Sequence, residues 1–442
     1  MSVRFRTMLS DLVKADTTNP PGNESRAVKV IAARLKKVGI PYEIVTFAPG
    51  RDNIVARLKG TGEEKPLLLL AHLDVVGTKD QKWSVPEHEL TEKDGYLYGR
   101  GVGDDLGMVA ANLEIFIELK TSGAALKRDV ILAFTGDEES GGAGLKFLLA
   151  NRPELVNAGI ALNEGGRPVI IDGKVKYFNF QVAEKVYQDF TLSTKGDTGH
   201  SSVPRKDNSI YRMARALDRL GQFEAESRLI DATRAYFKEL AKIETGEKAA
   251  AMRTLVAANG SKLPKGALKV VKADPLKASM LSTTCVATML NAGTKANALP
   301  PEAHANVNCR LLPDETAEQV QARLAKVIND PRVEIKAEGH LGFAGPSPTQ
   351  GEVPTAVREV VNEVWPGAGV VPAMMTGATD SRFLRSKNIQ SYGVHPIAME
   401  EADSIRAHGV DERLPVASIQ PGLEFLHRLV VKLAVPSVTV KN

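Results

Sequence analysis

The stretch KPLLLLAHLDVV (residues 65–76) stays apolar from Leu67 to Ala71 before it reaches His72 and Asp74. A strand with one face in water alternates apolar and polar residues, so an unbroken run points to a strand buried on both faces of a helix-covered sheet. A second such run, ILAFTGDEESGG (residues 131–142), ends in three consecutive acids, Asp137, Glu138 and Glu139. Carboxylates this close repel one another, and burial adds a desolvation cost. The arrangement is unfavourable unless a cation or a catalytic task compensates.

Around these runs the chain alternates helix and strand patterns. A helix-like segment over residues 4–14 precedes the turn-rich DTTNPPGNE (16–24), and Asn23 and Glu24 open an amphipathic helix to about residue 38. YEIVTF (42–47) and NIVARLKG (53–60) read as strands and residues 107–119 as a long helix. The expected class is α/β, a layered domain with a mixed sheet covered by helices. After about residue 183 the period becomes two, in YQDFTLSTKG (187–196), TTCVATML (283–290) and AHANVNCRLL (303–312), followed by a helix over 317–327 and the strand RVEIKAEG (332–339). A Lys-rich, largely helical stretch at about 224–277 reads as a solvated elaboration. From about residue 348 the α/β pattern returns, with a helix over 355–364, the strand-like IQSYGVHPI (389–397) and a closing helix over 418–432. Residues 1–185 and 341–442 are therefore expected to form one domain, with a smaller α+β domain inserted at 186–340.

The 442 residues carry a net charge of +4, with basic and acidic residues interleaved, which gives no reason to expect nucleic acid or a membrane surface as partner. Two cysteines, Cys285 and Cys309, lie in strand-like segments and are expected to be buried free thiols. No apolar run approaches the ~20 residues that span a bilayer, and the N-terminus lacks the apolar stretch of a signal peptide. The expected location is cytoplasmic, or periplasmic if a signal peptide had been removed.

The residues that break the apolar patterns carry chemistry. Residues i and i+2 of an extended chain face the same way, so Asp74 can support a His72 that faces a metal. DGYLYGRGVGDDLG (94–107) places Asp104 after three glycines at the mouth of a helix, where a carboxylate is favoured by the dipole. Glu138 and Glu139 end one strand, Glu164 ends another in IALNEGG (160–166), and His408 lies in the loop IRAHGVDERLP (405–415). Singly, each is also explained as a cap, an acidic turn or a loop residue. Together they fall at strand ends, on the edge where open α/β sheets assemble ligand sites. Mixed imidazole and carboxylate donors suit two zinc ions, or cobalt or manganese, as a co-catalytic pair.

AHLDVV, DGYLYGRGVGDD, TGDEESGG, NEGG, GHSSVP, NALP, TGATDSRFL and RAHGVDE occur in this order along nearly the whole chain. The set resembles the di-zinc metallopeptidases that include glutamate carboxypeptidases, aminoacylases, acetylornithine deacetylase and succinyl-diaminopimelate desuccinylase. The resemblance implies that Asp104 bridges the metals, that His72 and Glu164 complete one site and Glu139 and His408 the other, and that Glu138 is the general base, with Asp74 supporting His72. It also implies a cis peptide between Asp104 and Asp105, and a structural role for Asp137. The inserted domain resembles the family's lid or dimerisation domain. There His200 in GHSSVP resembles the histidine that polarises the scissile carbonyl, often in the site of a partner subunit. Asn297 in KANALP and Arg310 in NCRLLP resemble residues that hold substrate, Arg310 by a bidentate grip on a carboxylate. Thr379 and Asp380 are expected to shape the site.

The implied activity is hydrolysis of the amide of a C-terminal residue in a small peptide, or of an N-acyl amino acid. A deacylase or desuccinylase of a small metabolite is the alternative, and a silent binding protein of the same fold is a remote second. The resemblance is also compatible with a homodimer through the lid, the alternative being that the enlarged lid substitutes for a partner. Leu106 departs from the lysine common at that position, and the Lys-rich insertion enlarges the lid, as in the carboxypeptidase-like branch. His88, His304, His340, His395 and His427 lack ligand-like spacing, although His395 could line the pocket. Trp83 and Tyr98 are expected to pack beneath the site.

Overall fold

The computed structural model describes residues 1–258, 262–339 and 344–436. The chain separates into two units, one formed by Met1–Val182, Ser347–Ala373 and Thr379–Asn442, the other by Ala183–Pro346 and Met374–Ala378. His340 lies outside the described residues.

The first unit is built on a nine-stranded mixed sheet. Leu67–His72 pairs in parallel with Val130–Thr135 on one side and with Ile160–Asn163 on the other. Gln390–Gly393 extends the parallel set next to Ile160–Asn163. Arg51–Leu58 and Tyr42–Ala48 add antiparallel strands beyond Val130–Thr135. Both central runs are buried at every position, which requires cover on both faces, as the unbroken apolar pattern implied. The helix Leu106–Thr121 packs against the Leu67–His72 strand and the helices Ser2–Lys14 and Val416–Ala434. It is apolar nearly all round and almost wholly buried. Among the described residues no helix is long and apolar enough to cross a membrane.

The second unit holds a four-stranded antiparallel sheet in the order Thr284–Ala292, Glu302–Leu311, Val186–Lys195, Val333–Glu338. One face is packed by the helices Ser209–Gly221 and Ala317–Ile328 around Phe190, Leu192, Val307 and Leu324. Asn208 caps the first of these helices, and Thr316 and Gln319 form a capping box on the second. The Lys-rich stretch forms helices at Asp231–Ile243, Gly246–Ala257, Lys265–Lys272 and Pro275–Ser279.

The cysteines are not free. Cys285 and Cys309 sit directly opposite one another on antiparallel neighbours, with Cα atoms 4.0 Å apart, and are joined as a disulfide. Strand register across 24 residues created this pairing, and the local patterns around the two cysteines carry no information about it.

Candidate metal centre

The central strands of the first unit run parallel, so their carboxyl ends share one edge. His72 is the last residue of its strand and is level with Thr135, after which the neighbouring strand turns into Gly136 to Glu139. Glu164 follows directly on the strand Ile160–Asn163. Asp104 closes a glycine-rich loop ahead of the helix Leu106–Thr121, and its peptide to Asp105 is cis. Gly101 in that loop has φ +82°, and a Cβ there would lie 2.5 Å from Val75, so only glycine fits. His408 adopts φ 64° in the loop before the short strand Arg413–Pro415.

Two groups of three donors result, His72 with Asp104 and Glu164, and Asp104 with Glu139 and His408. Within each, all ligand atoms lie within 4.8 Å of one another. Asp104 is shared: Oδ1 is 3.1 Å from His72 Nε2 and Oδ2 is 3.2 Å from His408 Nε2. His408 Nε2 is also 3.0 Å from Glu139 Oε2, and His72 Nε2 is 3.9 Å from Glu164 Oε1.

The electrostatics describe a site crowded with carboxylates. Burial, then repulsion from Glu138, holds Glu164 well above the usual carboxylate range, and burial followed by Asp104 raises Glu139. Glu138 is raised well above its ordinary value by burial, with Asp380, Glu139 and Asp104 adding repulsion. Burial acts to lower His72, yet its hydrogen bond to Asp104 and the charge of Glu164 outweigh this and push it well above normal. Hydrogen bonds to Asp104 and Glu139 push His408 up to about 10. Glu139 Oε1 is buried with no hydrogen-bond partner. Two imidazoles among converging carboxylates, one oxygen of which is orphaned, fit a pair of divalent cations.

Glu138 enters neither group of three. Asp74 holds its backbone in place. The Asp74 carboxylate accepts the N–H groups of Glu138 at 3.0 Å and Glu139 at 3.2 Å, and the amide of Asn19 at 2.8 Å. His72 Nδ1 is bonded to the Asp74 backbone carbonyl at 2.9 Å, while the Asp74 carboxylate is 3.7 Å away. The support expected from the alternating spacing thus comes through the main chain. Asp137, at φ 70°, sits in the turn with its carboxylate on Arg51 Nη1 at 2.7 Å and on the Ala143 N–H at 3.1 Å. Arg51 also clasps the buried Glu24. Asp380 accepts from Thr135 Oγ1 at 3.0 Å, and burial pushes it up to about 6.

Sequence reasoning missed Asp105, Arg167 and Glu412 beside this centre and named His395, Trp83 and Tyr98 without their partners. The Asp105 carboxylate accepts the His72 N–H at 3.3 Å. Arg167 is a cation close enough to Asp104, Asp105 and Glu164 to feel their charge. Glu412, inside the quoted RAHGVDE segment, accepts the backbone N–H groups of Gly101, Gly103 and Asp104. His395 is fully buried with Nε2 unpartnered. The Trp83 ring lies over the Arg100 guanidinium, and the Tyr98 hydroxyl accepts from Arg413.

In the second unit His200 and Asn297 come together. His200 pairs with Ala298 in a short ladder, Ser201 N–H donates to the Asn297 carbonyl at 3.0 Å, and the exposed His200 ring contacts Ser202 Oγ at 2.7 Å. Arg310 lies elsewhere, over the ring of Tyr187 at 4.7 Å, opposite Tyr187 and Thr284 on the neighbouring strands. His200 leaves the sheet beyond Lys195, which pairs with Glu302 at the other end of the same strand.

The model of the peptidase family M20/M25/M40 matches residues 68–432. The chain belongs to this family. It is a hydrolase of the metallopeptidase class, and hydrolysis of peptide or N-acyl amino acid amide bonds fits the centre described. Among M20 relatives, a probable carboxypeptidase S-like 2 of Dictyostelium discoideum is 29% identical over 388 residues, covering 86% of this chain and 74% of its own. The N-fatty-acyl-amino acid synthase/hydrolase PM20D1 of Homo sapiens is 29% identical over 377 residues, covering 83% and 74%. The fold is shared with the crystal structure of an M20 family metallo-carboxypeptidase, Sso-CP2 of Sulfolobus solfataricus, with a TM-score of 0.73 at 18% identity over 98% of this chain and 99% of that one.

Proposed function

We propose that this M20 hydrolase cleaves the amide of an N-acyl amino acid, or that of the C-terminal residue of a small peptide, using two zinc ions, with cobalt or manganese able to replace them. The observation that carries this reading is the sharing of Asp104 between two ligand groups beside a glutamate that belongs to neither. His72 and Glu164 would hold one ion, Glu139 and His408 the other, and Asp104 both. Bound divalent ions supply Lewis acidity and lower the pKa of a water toward about 7. Glu138, raised by burial and its acidic neighbours, takes a proton from the attacking water and returns it to the leaving amine. Asp74 fixes the backbone from which Glu138 projects. His200 donates to the developing oxyanion, while Arg310 and Asn297 hold the substrate, Arg310 by its carboxylate.

A homodimer belongs to this reading. Arg310 and the exit toward His200 stand at opposite ends of the strand Glu302–Leu311, eight residues or roughly 27 Å apart, too far for one small substrate to touch both within one lid. The edge strand Thr284–Ala292 exposes Val286, Met289 and Leu290 and, with no strand paired to its outer edge among the described residues, offers that edge to a second copy. Lysine at Val286 and Met289 is expected to convert a dimer to a monomer in sedimentation. The Cys285–Cys309 bridge supports an oxidising compartment such as the periplasm over the cytoplasm.

The relatives' names favour two substrate branches, carboxypeptidase and N-fatty-acyl-amino acid hydrolase. A panel of dipeptides with free and amidated C-termini, N-acetyl and N-succinyl amino acids, and long-chain N-acyl amino acids separates these from a small-metabolite deacylase. Zinc-dependent cleavage abolished by amidation is expected. Cleavage indifferent to the free carboxylate contradicts the Arg310 role, and a protein that binds two metals yet cleaves nothing in the panel reopens a silent binding role.

A further inference from the structure

Glu412 belongs to neither ligand group, yet its buried carboxylate organises the loop that presents Asp104. Oε1 accepts the N–H groups of Gly103 at 2.8 Å and Asp104 at 3.0 Å, and Oε2 accepts the Gly101 N–H at 2.9 Å and Arg100 Nη1 at 2.7 Å. These loop N–H groups are met by a single side chain, and all four partners are donors. A glutamine would turn a donor toward at least one of them, so the site calls for a carboxylate despite the nearby charge of Asp104.

The same network reaches the other side of the centre. Arg100, 1% exposed, gives its second terminal nitrogen to the Gly409 carbonyl at 2.9 Å and to Gln81 Oε1 at 3.0 Å. Gln81 in turn donates to the His408 carbonyl at 3.0 Å and is itself held by Trp83 Nε1 at 3.0 Å. Asp104 and His408 come from loops about 300 residues apart in sequence, and this chain of contacts couples their backbones.

We propose that Glu412, with Arg100 and Gln81, is a positioning clamp that fixes Asp104 and His408 relative to one another and so sets the affinity of the Asp104, Glu139 and His408 group for its divalent ion. The proposal rests on the reading that these three residues hold a metal. Groups that orient ligands in this way typically contribute ~10–100-fold in metal affinity.

The test is a zinc titration of chelator-stripped full-length protein against a chromophoric chelator, read as two dissociation constants, with the visible absorption of the cobalt-loaded protein as a geometric readout that fold stability alone does not shift. Wild type is expected to take two ions and His408→Ala one. Glu412→Gln is expected to weaken by ~10–100-fold the ion that His408→Ala loses and to alter the cobalt band. Gln81→Ala, at a half-exposed residue, leaves the Glu412 contacts in place and is expected to weaken the same ion by ~10-fold while the other keeps its constant. It carries the test if Glu412→Gln fails to fold. Wild-type constants and an unchanged cobalt band in the variants overturn the clamp and leave the metal reading standing. Fewer than two zinc ions in wild type, or two in His408→Ala, overturn the metal reading and the clamp with it.

Discussion

Asp74→Asn changes no more than one oxygen into an amino group, and the geometry says where the damage goes. Asp74 Oδ2 serves two donors, the Glu139 N–H at 3.2 Å and the Asn19 amide at 2.8 Å, whereas Oδ1 serves the Glu138 N–H at 3.0 Å. An asparagine keeps its oxygen on the busier side, which turns its amino group toward the Glu138 N–H. That leaves a buried donor facing a donor, at ~1–3 kcal/mol, and removes the charge assistance from the two remaining bonds, for a total of roughly 2–4 kcal/mol. The strain falls on the backbone of the proposed base, where a displacement of ~1 Å can cost ~100-fold in rate. We therefore expect kcat to fall about 100-fold with KM changed less than fivefold, zinc content to stay at the wild-type level by atomic emission, and the melting temperature to drop. Relief of repulsion among the neighbouring carboxylates acts in the opposite direction, yet it stabilises the metal-free protein and does not restore the position of Glu138. Turnover within threefold of wild type in fully loaded Asp74→Asn would refute the reasoning.

Metal binding should release protons. His72 and His408 are raised by the carboxylates around them, His408 to about 10, so both carry protons at neutral pH before metal enters. Calorimetry in buffers of different ionisation enthalpy is expected to show net proton release at pH 7, from the histidines and from the raised carboxylates of Glu139 and Glu164, and tighter binding as pH rises; a buffer-independent heat contradicts this. In the metal-free protein the same raised value means that the His408 contribution to stability is complete below about pH 6.5 and lost as pH climbs through about 10, so thermal midpoints should fall over that window. The disulfide closes a loop with a sequence separation of 24, for which chain entropy gives about 3 kcal/mol. Native protein is expected to show no reactive thiols without reductant, and Cys285→Ser with Cys309→Ser to lower the unfolding midpoint of the lid; two titratable thiols in native protein refute the bridge.

Much of the candidate centre was legible because the residues that form it interrupt apolar patterns that physics otherwise explains. His72 ends an unbroken buried run, Glu164 follows another, and two of the three acids where a third run stops, Glu138 and Glu139, have no packing rationale. What stayed hidden was set by register and distance. The i, i+2 spacing placed Asp74 beside His72 correctly, but the strand end turns so that the carbonyl, and not the carboxylate, meets the imidazole. Glu412 stood in the quoted motif, yet its partners lie on a loop near residue 100 and give no local sign. Cys285 and Cys309 looked like separate buried thiols because strand pairing, which alone decides their meeting, leaves no trace in either segment. Likewise, that Arg310 and the exit toward His200 fall at opposite ends of the strand Glu302–Leu311 could be read only from its ladder with Val186–Lys195.

The central claim is that Glu138 is the base of a two-metal hydrolase. The most direct measurement is turnover of Glu138→Gln, loaded with zinc and verified by atomic emission to hold the wild-type complement, on the best substrate of the panel. Loss of at least ~100-fold in kcat with metal retained is expected. Near-normal turnover in a fully loaded variant would contradict the account, which assigns that proton transfer to Glu138.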